Sequence, residues 1–290
     1  MNVTMPPDDW PITPWHVWRI ADGAATAEDI LMVQEEPLAL HVNGRQVAVL
    51  MRLPGMEKEL AAGFVISEGL VTSFDAVHVI HHCGQGLPAP GEEASQGEEA
   101  PPMASRNRIE VTVPPDALRP EARLEVVRLI RAGCGAVDVD RAEIPLPEVS
   151  SDLRVHPAAL RAMASAMRAG QHLHEGVGGV HAAALCDAEG QAIVVCEDVG
   201  RHNAVDKAVG YCLLRGIPLE RTMLLCSGRL SYEMVTKVVR AGIPVLASVS
   251  TPTALAVRLA ERFGLTVVGY LRGDRMTVYT HPERILMERG

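Results

Sequence analysis

Alternating apolar and polar positions define the first predicted strands. The segment LALHVNGRQVAVLMR alternates on both sides of Asn43-Gly44, a pair that fits the type I′ turn of a two-residue β-hairpin. The next segment, MEKELAAGFVISEGL, changes to a helical spacing. A strand is predicted over residues 75–83, whereas the residues before 30 contain tryptophan but little periodicity and predict an irregular lead-in.

The middle of the chain breaks this pattern. Residues 84–107 are rich in Gly, Pro, Glu and Ala, and such a segment cannot bury enough apolar surface to offset the entropy of ordering. We predict a mobile acidic loop that joins two strands, because alternation resumes in IEVTV. A helix is predicted over residues 119–132, followed by Gly133-Cys134-Gly135, and the proline-rich IPLPEV predicts a linker over 144–149.

Strand-like and helix-like segments alternate in the second half. HPAALRAMASAMRAG predicts a helix, VHAAALCD and QAIVVCED predict a hairpin, and a further helix is predicted over 201–216. The apolar runs MLLCS, IPVLASVS and LTVVGYLR are then separated by predicted helices over 229–241 and 253–263. Continuous apolar runs are typical of strands covered on both faces, and a β-α-β-α-β series predicts parallel strands with right-handed crossovers.

Composition and charge exclude several classes of protein. Aspartate and glutamate number 36 against 27 lysines and arginines, a net charge of −9, so we expect no binding to nucleic acid phosphates. The apolar runs are too short to span a bilayer, and the N-terminus lacks the apolar stretch of a secretory signal. Six cysteines without a dense framework favour a reducing compartment. These features predict a cytoplasmic protein without a membrane segment.

Small polar residues and arginines follow the predicted strands of the second half. Ligands of open α/β sheets bind where parallel strands end, and helix N-termini there present free N–H groups to anions. Together with arginine, this pattern predicts an anion site, most simply for phosphate. The alternative is that the hydroxyl residues only cap helices and the arginines pair with nearby acids. The residues at these strand ends are Arg201, His202, Ser227, Gly228, Arg229, Ser250, Thr251 and Arg272.

One helix of this half carries polar pairs at a spacing of four. His202 and Asp206 share a face, as do Asn203 and Lys207. The first pair could do acid–base work, but its spacing alone favours a surface ion pair.

The cysteines differ in their surroundings. Four lie in apolar strands or an apolar helix and are predicted to be inert core residues: Cys186, Cys196, Cys212 and Cys226. Cys134 lies between two glycines, where a thiol can be exposed, so that a reactive and a structural role are both open. His81-His82-Cys83 lacks a paired CxxC, and no metal site is predicted.

Several long runs resemble the formate dehydrogenase accessory sulfurtransferase family, FdhD. They are EDVGRHNAVDKAVG, CSGRLSYEMVTKVVRAGIPVLASVSTPTALAV and GYLRGDRMTVYT, with EEPLALHVNG, MRLPG, ELAAGFVISEGL and GGVHAAAL in agreement. The similarity extends from Glu35 to Thr280. It implies a cytidine deaminase-like α/β domain over residues 151–290 and a smaller N-terminal α+β portion over 1–150, and thus an α/β fold class.

The resemblance also implies a function. A sulfur carrier of this family is needed for formate dehydrogenase activity: it takes sulfur from a cysteine desulfurase and passes it to the molybdenum or tungsten bis-guanine-dinucleotide cofactor, here through a persulfide on Cys134. The guanine dinucleotide is anionic and fits the predicted strand-end site, with Arg201, His202 and Lys207 as further candidates beside the other six residues. A homodimer is implied by the family.

One departure from the family pattern bears on this function. Members carry CxxC in a glycine-rich loop, but the run GCGAVD places Val137 at the second position. An internal disulfide is therefore impossible in this loop, although one thiolate suffices to accept a persulfide sulfur. A non-catalytic chaperone that binds the cofactor without moving sulfur is the alternative. The sequence lacks the P-C-x-x-C motif that zinc deaminases combine with H-x-E, and it lacks the phosphate-binding loop of nucleotide hydrolases.

Overall fold

A computed structural model describes residues 11–82, 107–119, 128–129 (backbone only) and 146–286. It begins with a long hairpin in which β1 (Ile12–Ala21) pairs antiparallel with β2 (Ala24–Val33). Asp22 and Gly23 have φ angles of 51° and 80°, and positive φ at both central residues is the mark of a type I′ turn, which Asp-Gly favours. The prediction of an irregular lead-in is therefore wrong.

The first half of the chain builds a mixed sheet with the order β5-β6-β3-β4-β7. Its strands are β3 (Glu36–Val42), β4 (Arg45–Arg52), β5 (Val79–His82), β6 (Arg108–Thr112) and β7 (Arg128–Leu129). The predicted hairpin of β3 and β4 is confirmed, with Asn43 and Gly44 at φ 49° and 77°.

Two predictions for this half need correction. The strand predicted over 75–83 is shorter, because Phe74–Ala76 forms a 3-10 turn before β5 begins. The helix predicted over 119–132 is wrong at β7, which pairs in parallel with Ala48 and Val49 of β4, a partner distant in sequence. Apart from Asn107, the predicted acidic loop lies outside the described residues; β5 and β6, which flank it, pair antiparallel.

The second half builds a larger sheet with the order β13-β12-β11-β10-β8-β9. Its strands are β8 (His181–Cys186), β9 (Ala192–Asp198), β10 (Met223–Cys226), β11 (Val245–Ser248), β12 (Thr266–Arg272) and β13 (Arg275–Val278). The helices are α2 (Pro157–Ala169), α3 (His172–Gly176), α4 (Arg201–Leu214), α5 (Tyr232–Arg240) and α6 (Ala254–Arg262). The predicted β-α-β-α-β series is confirmed, since β10, β11 and β12 are parallel neighbours.

The larger sheet is covered on both faces. Ala183 and Leu185 of β8 pack with α4, α5 and α6, whereas Ala182 and Ala184 pack with α2 on the other face, as the alternation of side chains along a strand requires. The expected α/β fold class is confirmed. Strands before residue 150 and after it belong to different sheets, while a domain boundary at residue 150 stays a prediction.

Helix α1 (Glu57–Ser67) joins the two halves. It is buried continuously from Leu60 to Ser67, because one side packs on the smaller sheet and the other on α4. Glycines permit this close crossing: a Cβ at Gly63 would lie 1.9 Å from the Asp206 carbonyl oxygen, and one at Gly210 would lie 1.8 Å from that of Glu59. None of the described helices is long and apolar enough to cross a membrane.

Candidate functional site

Four strands of the larger sheet end at the same edge. β10, β11 and β12 run parallel, and β9 has the same direction because it is antiparallel to β8, which is antiparallel to β10. The segments after these strands carry the predicted ligand residues, as expected for the carboxyl edge of an α/β sheet. We call this edge the strand-end site, formed by residues 199–202, 227–230, 249–252 and 270–272 together with His181 at the start of β8.

The loops after β10 and β11 are joined to each other. The Ser248 hydroxyl donates to the Gly228 carbonyl oxygen at 2.6 Å and accepts from the Ser250 backbone N–H at 2.9 Å. Leu230 and Pro252 form a parallel bridge, in which the Thr253 N–H donates to the Leu230 carbonyl at 3.0 Å. The loops therefore form one hydrogen-bonded unit.

The hydroxyl residues predicted at these strand ends do not cap the following helices. Ser231 caps α5 by accepting from the Met234 N–H, and Thr253 caps α6 by accepting from the Ala256 N–H. The alternative in which Ser227, Ser250 or Thr251 serves as a cap is therefore wrong. These three residues lie before the helices, half-buried in the joined loops.

Ser227 bonds to the first residues of β8. Its backbone N–H donates to the Ala182 carbonyl at 2.9 Å, and its hydroxyl oxygen accepts from the Ala182 N–H at the same distance. The hydroxyl also lies 3.3 Å from Nδ1 of His181, a residue that the sequence analysis did not select. The GGVH run was visible in the sequence, but nothing in it showed that His181 would meet the end of a strand more than forty residues later.

Arginine and histidine at the start of α4 lie against the same loop. A Cβ at Gly228 would lie 3.3 Å from Cδ of Arg201 and 3.6 Å from Nδ1 of His181. Among the described residues, the buried Nε of Arg201 has no hydrogen-bond partner. Burial, with Lys237 and Arg201 nearby, lowers the pKa of His202 to about 3, so His202 is neutral at pH 7, with Nε2 at 3.4 Å from Glu233 Oε2.

The other two arginines are exposed at the rim. The Arg272 Nε donates to the Val249 carbonyl at 2.8 Å, which holds the end of β12 against the joined loops, and Arg229 projects from the loop after β10. The structure thus brings Arg201, Ser227 and Gly228 into contact and places Arg272 beside the loop that carries Ser250 and Thr251.

Tyr270 is a second residue of this edge that the sequence analysis missed. It is 47% exposed and has a φ of 52°, a left-handed conformation that is uncommon for a bulky side chain. A register shift in the pairing of β12 with β13 accompanies it, and its N–H donates to the Ser250 carbonyl at 2.8 Å. Its place in a buried strand pattern gave no sign of this irregularity.

Comparison with known proteins assigns this chain to a family. The sequence profile of the FdhD/NarQ family matches residues 33–286. The chain belongs to the FdhD/NarQ family. It is 41% identical to a protein of Streptomyces avermitilis named "Sulfur carrier protein FdhD", over 93% of this chain and 94% of that protein. A protein of the same name from Mycolicibacterium paratuberculosis is also 41% identical, over 93% of this chain and 97% of that protein.

A solved structure agrees with this family membership. It is a crystal structure from Desulfotalea psychrophila, described as a formate dehydrogenase accessory protein, with a TM-score of 0.71 and 28% sequence identity. The match covers 95% of this chain and 99% of that chain. The family resemblance inferred from the sequence is therefore confirmed.

Much of the run EDVGRHNAVDKAVG in this FdhD/NarQ chain is buried away from the strand-end site. Lys207 is 2% exposed and contacts Asp198 Oδ2 at 2.7 Å while donating to the Leu53 carbonyl at 2.9 Å. Asp198 also accepts from the backbone N–H of Leu53 and from the Asn203 amide. Lys207 was a candidate ligand, but its ammonium is directed into this buried network, which joins the first half of the chain to the second.

The other polar pair of α4 is also not as predicted. Asp206 is 1% exposed and accepts from Lys237 at 2.8 Å and from the Ser67 hydroxyl at 2.6 Å. Burial raises the pKa of Asp206 to about 6, although Lys237 and Ser67 oppose this shift. A surface ion pair with His202 is therefore wrong, because packing of α1 and α5 against α4 supplies Asp206 with closer partners.

The cysteines that the structure describes are in the core as predicted. Burial raises the thiol pKa to about 12 at Cys186, Cys196 and Cys226 and to about 11 at Cys212. Cys83 and Cys134 lie outside the described residues. Within the described parts of the chain, no cluster of His, Cys, Asp or Glu is arranged to hold a metal ion.

Proposed function

We propose that this chain is a sulfur carrier that serves formate dehydrogenase. It would accept sulfur from a cysteine desulfurase as a persulfide on Cys134 and pass it to the molybdenum or tungsten bis-guanine-dinucleotide cofactor. The observation that carries the proposal is the match with proteins named as sulfur carriers, which runs through both halves of the chain. A homodimer and a cytoplasmic location go with this proposal as predictions.

The cysteine inventory supports Cys134 as the sulfur-bearing residue. The nucleophile in persulfide exchange is a thiolate, and a thiol with a pKa of about 12, such as Cys226, forms almost none at neutral pH. The four buried cysteines are therefore poor candidates, which leaves Cys83 and Cys134. Of these, Cys134 matches the first cysteine of the family loop. Its thiolate would attack the outer sulfur of the desulfurase persulfide, and the desulfurase cysteine would leave as a thiolate.

The strand-end site supports binding of the nucleotide end of the cofactor. It gathers the guanidinium groups of Arg201, Arg229 and Arg272 at joined loops, and guanidinium groups suit phosphate oxygens. The buried Arg201 Nε–H has no acceptor among the described residues, and a buried N–H is costly until an acceptor is supplied. The proposed contacts are Arg201, His202, Ser227, Gly228, Arg229, Ser250, Thr251 and Arg272.

Calorimetry with GDP tests this binding site. Arg229→Ala or Arg272→Ala would remove a charge-assisted contact, and each should weaken binding by about 1.5–3 kcal/mol. Arg262→Ala is a matched control, because Arg262 lies at the C-terminal end of α6, away from the strand ends. Equal affinities in all three variants and the wild type would place the nucleotide elsewhere.

Mass spectrometry tests the sulfur step. The protein is incubated with a cysteine desulfurase and cysteine, and its intact mass is recorded. We expect one added sulfur that is lost in Cys134→Ala and kept in Cys83→Ala. Because Val137 replaces the second loop cysteine, we expect sulfur to pass from Cys134 directly to the cofactor without an internal disulfide. The same replacement is the reason to keep the alternative of a chaperone that transfers no sulfur. Absence of added sulfur, under conditions that load a family member with both loop cysteines, would favour the chaperone.

A further inference from the structure

His181 occupies a constrained position at the strand-end site. It is the first residue of β8, directly opposite Asp198 in the register with β9. Gly178 and Gly179, with φ of 81° and 76°, form the approach to it, so the chain turns sharply just before the ring. The half-buried ring then meets Ser227 and Gly228 from β10. Three separate segments therefore fix its place beside the loop that follows β10.

The hydrogen bonds of Ser227 favour one of the two tautomers of the neutral His181 ring. A hydroxyl group has one hydrogen to donate and two lone pairs to accept with. The Ser227 oxygen already accepts from the Ala182 N–H, and among the described residues His181 Nδ1 is the acceptor within reach of its hydrogen. Donation to Nδ1 makes that nitrogen the acceptor, so the proton of a neutral ring resides on Nε2.

We propose that His181 is a ligand-contacting residue of the strand-end site, with Ser227 as the positioning residue that keeps its Nε2–H available to a phosphate oxygen. This inference rests on the nucleotide binding proposed above. The position that a Cβ of Gly228 would occupy lies 3.3 Å from Cδ of Arg201 and 3.6 Å from Nδ1 of His181, so both side chains lie against the loop after β10. The Nε–H of Arg201 is buried and has no acceptor among the described residues, and with Nε2–H of His181 it offers two donors beside this loop.

The charge of His181 makes this contact dependent on pH. Burial and then Arg201 lower the pKa of the ring, while Asp198 acts in the opposite direction and His174 of α3 lowers it further. The ring is therefore neutral in the free protein at pH 7. A bound phosphate favours the protonated ring, so proton uptake and ligand binding strengthen each other. Affinity should rise as the pH falls toward the pKa of the free protein.

The probe must not titrate over the same range. We choose P1,P2-di(guanosine-5′) pyrophosphate, since its two phosphates are diesters and keep their charge between pH 5.5 and 8, unlike GDP, whose terminal phosphate has a pKa near ~6. Calorimetry would compare wild type, His181→Gln, which keeps a neutral donor but cannot gain a proton, and His172→Gln, which removes an exposed histidine of α3 outside the site.

The expected result is a loss of pH dependence. Wild type and His172→Gln should bind the probe about tenfold more tightly at pH 5.5 than at pH 8, the gain that a charged donor gives over a neutral one. His181→Gln should bind with the same affinity at both. An unchanged pH profile in His181→Gln would overturn the role of His181 and leave the nucleotide site standing. Absence of binding by the wild type at either pH would overturn both.

Ser227 variants test the positioning role. Ser227→Ala frees the neutral ring to place its proton on Nδ1, so we expect a larger loss of affinity at pH 8 than at pH 5.5, because a ring that is protonated in the complex carries hydrogen on both nitrogens. Ser227→Thr keeps the hydroxyl and should restore binding at pH 8. A loss of equal size at both pH values in Ser227→Ala would contradict positioning and indicate a direct ligand contact or a structural role.

Discussion

The strand-end site and the interface between the two halves of the chain take residues from the same run, EDVGRHNAVDKAVG, yet they differ in burial and in pairing. At the interface, Asp198, Asp206 and Lys207 are at most 2% exposed and all are paired. At the strand-end site, cations are half-buried or exposed, and the buried Nε–H of Arg201 has no acceptor among the described residues. The comparison teaches that much of this recognisable run holds the two halves of the protein together, while Gly200, Arg201 and His202 lie at the strand ends.

The largest effect should come from adding one methyl group at the interface. Gly210→Ala would place a Cβ 1.8 Å from the Glu59 carbonyl oxygen, so that α1 and α4 must move apart. We expect a loss of about 4 kcal/mol or more in the free energy of unfolding, or no folded protein. Gly228→Ala is the matched change at the strand-end site, where the nearest atom belongs to the flexible Arg201 side chain, and it should cost less than about 1 kcal/mol. Urea denaturation of both variants measures the difference, and equal losses would contradict it.

Breaking a buried ion pair should have the next largest effect. Lys237→Met leaves Asp206 and Glu68 without the ammonium that contacts both, and we expect a cost of about 3–5 kcal/mol at pH 7. Lys237 lowers the pKa of Asp206 from the value that burial alone would give, so the carboxyl of the variant takes up a proton at a higher pH than that of the wild type. The deficit should therefore shrink as the pH falls toward about 6, and change little below it. Arg229→Met at the exposed rim should change stability by less than about 0.5 kcal/mol.

A second substitution sharpens this test. In Lys237→Met combined with Asp206→Asn, the buried carboxylate is gone, and part of the stability should return. A double variant as unstable as the sum of both single variants would show that the two charges do not interact.

Local patterns predicted the elements but not which polar residues would be buried. Asn43-Gly44 was sufficient to predict the β3–β4 hairpin, because a type I′ turn requires particular residues. The apolar runs of β10, β11 and β12 were sufficient to predict these strands, because burial on both faces produces a continuous apolar sequence. The β1–β2 hairpin had a usable signal in Asp22-Gly23, yet its apolar side chains, such as Trp15 and Trp18, are exposed and give no simple alternation. Strand β7 is only two residues long, too short to carry a pattern.

The candidate site was predictable to the extent that strand ends define it. Ser227, Gly228 and Arg201 were found because the carboxyl ends of parallel strands share an edge. Lys207 and Asp206 were misplaced because their partners, Leu53 before α1 and Ser67 at its end, come 154 and 139 residues earlier in the chain. His181 was missed for the same reason, since only the pairing of β8 with β10 brings it to Ser227.

A third prediction concerns acid, and it compares a buried histidine with an exposed one. The pKa of His202 is about 3 when folded and 6.5 as a free side chain, so the unfolded state binds more protons in this range and stability falls as the pH drops. Between pH 6.5 and pH 5, His202 should account for a loss of about 2 kcal/mol, at about 1.4 kcal/mol for each pH unit. His202→Gln should lack this part of the acid sensitivity, whereas His174→Gln should retain it. Urea denaturation at each pH measures the stability of the wild type and both variants. Parallel curves of stability against pH for all three proteins would contradict the prediction and indicate that His202 is solvated.

The smallest effect should be found at Tyr270, where the strand-end site holds a left-handed residue. Alanine and glycine both remove the ring, but glycine alone accepts a φ of 52° without steric cost. We therefore expect Tyr270→Gly to be more stable than Tyr270→Ala by about 1 kcal/mol. The greater conformational entropy of glycine in the unfolded chain reduces this difference in part. The same pair at Leu214, an exposed residue at the end of α4 with ordinary helical geometry, should show the opposite order, because glycine lowers helix stability by about 1 kcal/mol relative to alanine. Urea denaturation measures the stability of all four variants. The same order of stability at both positions would mean that the backbone at Tyr270 relaxes, and that the hydrogen bond from its N–H to the Ser250 carbonyl does not hold it in the left-handed conformation.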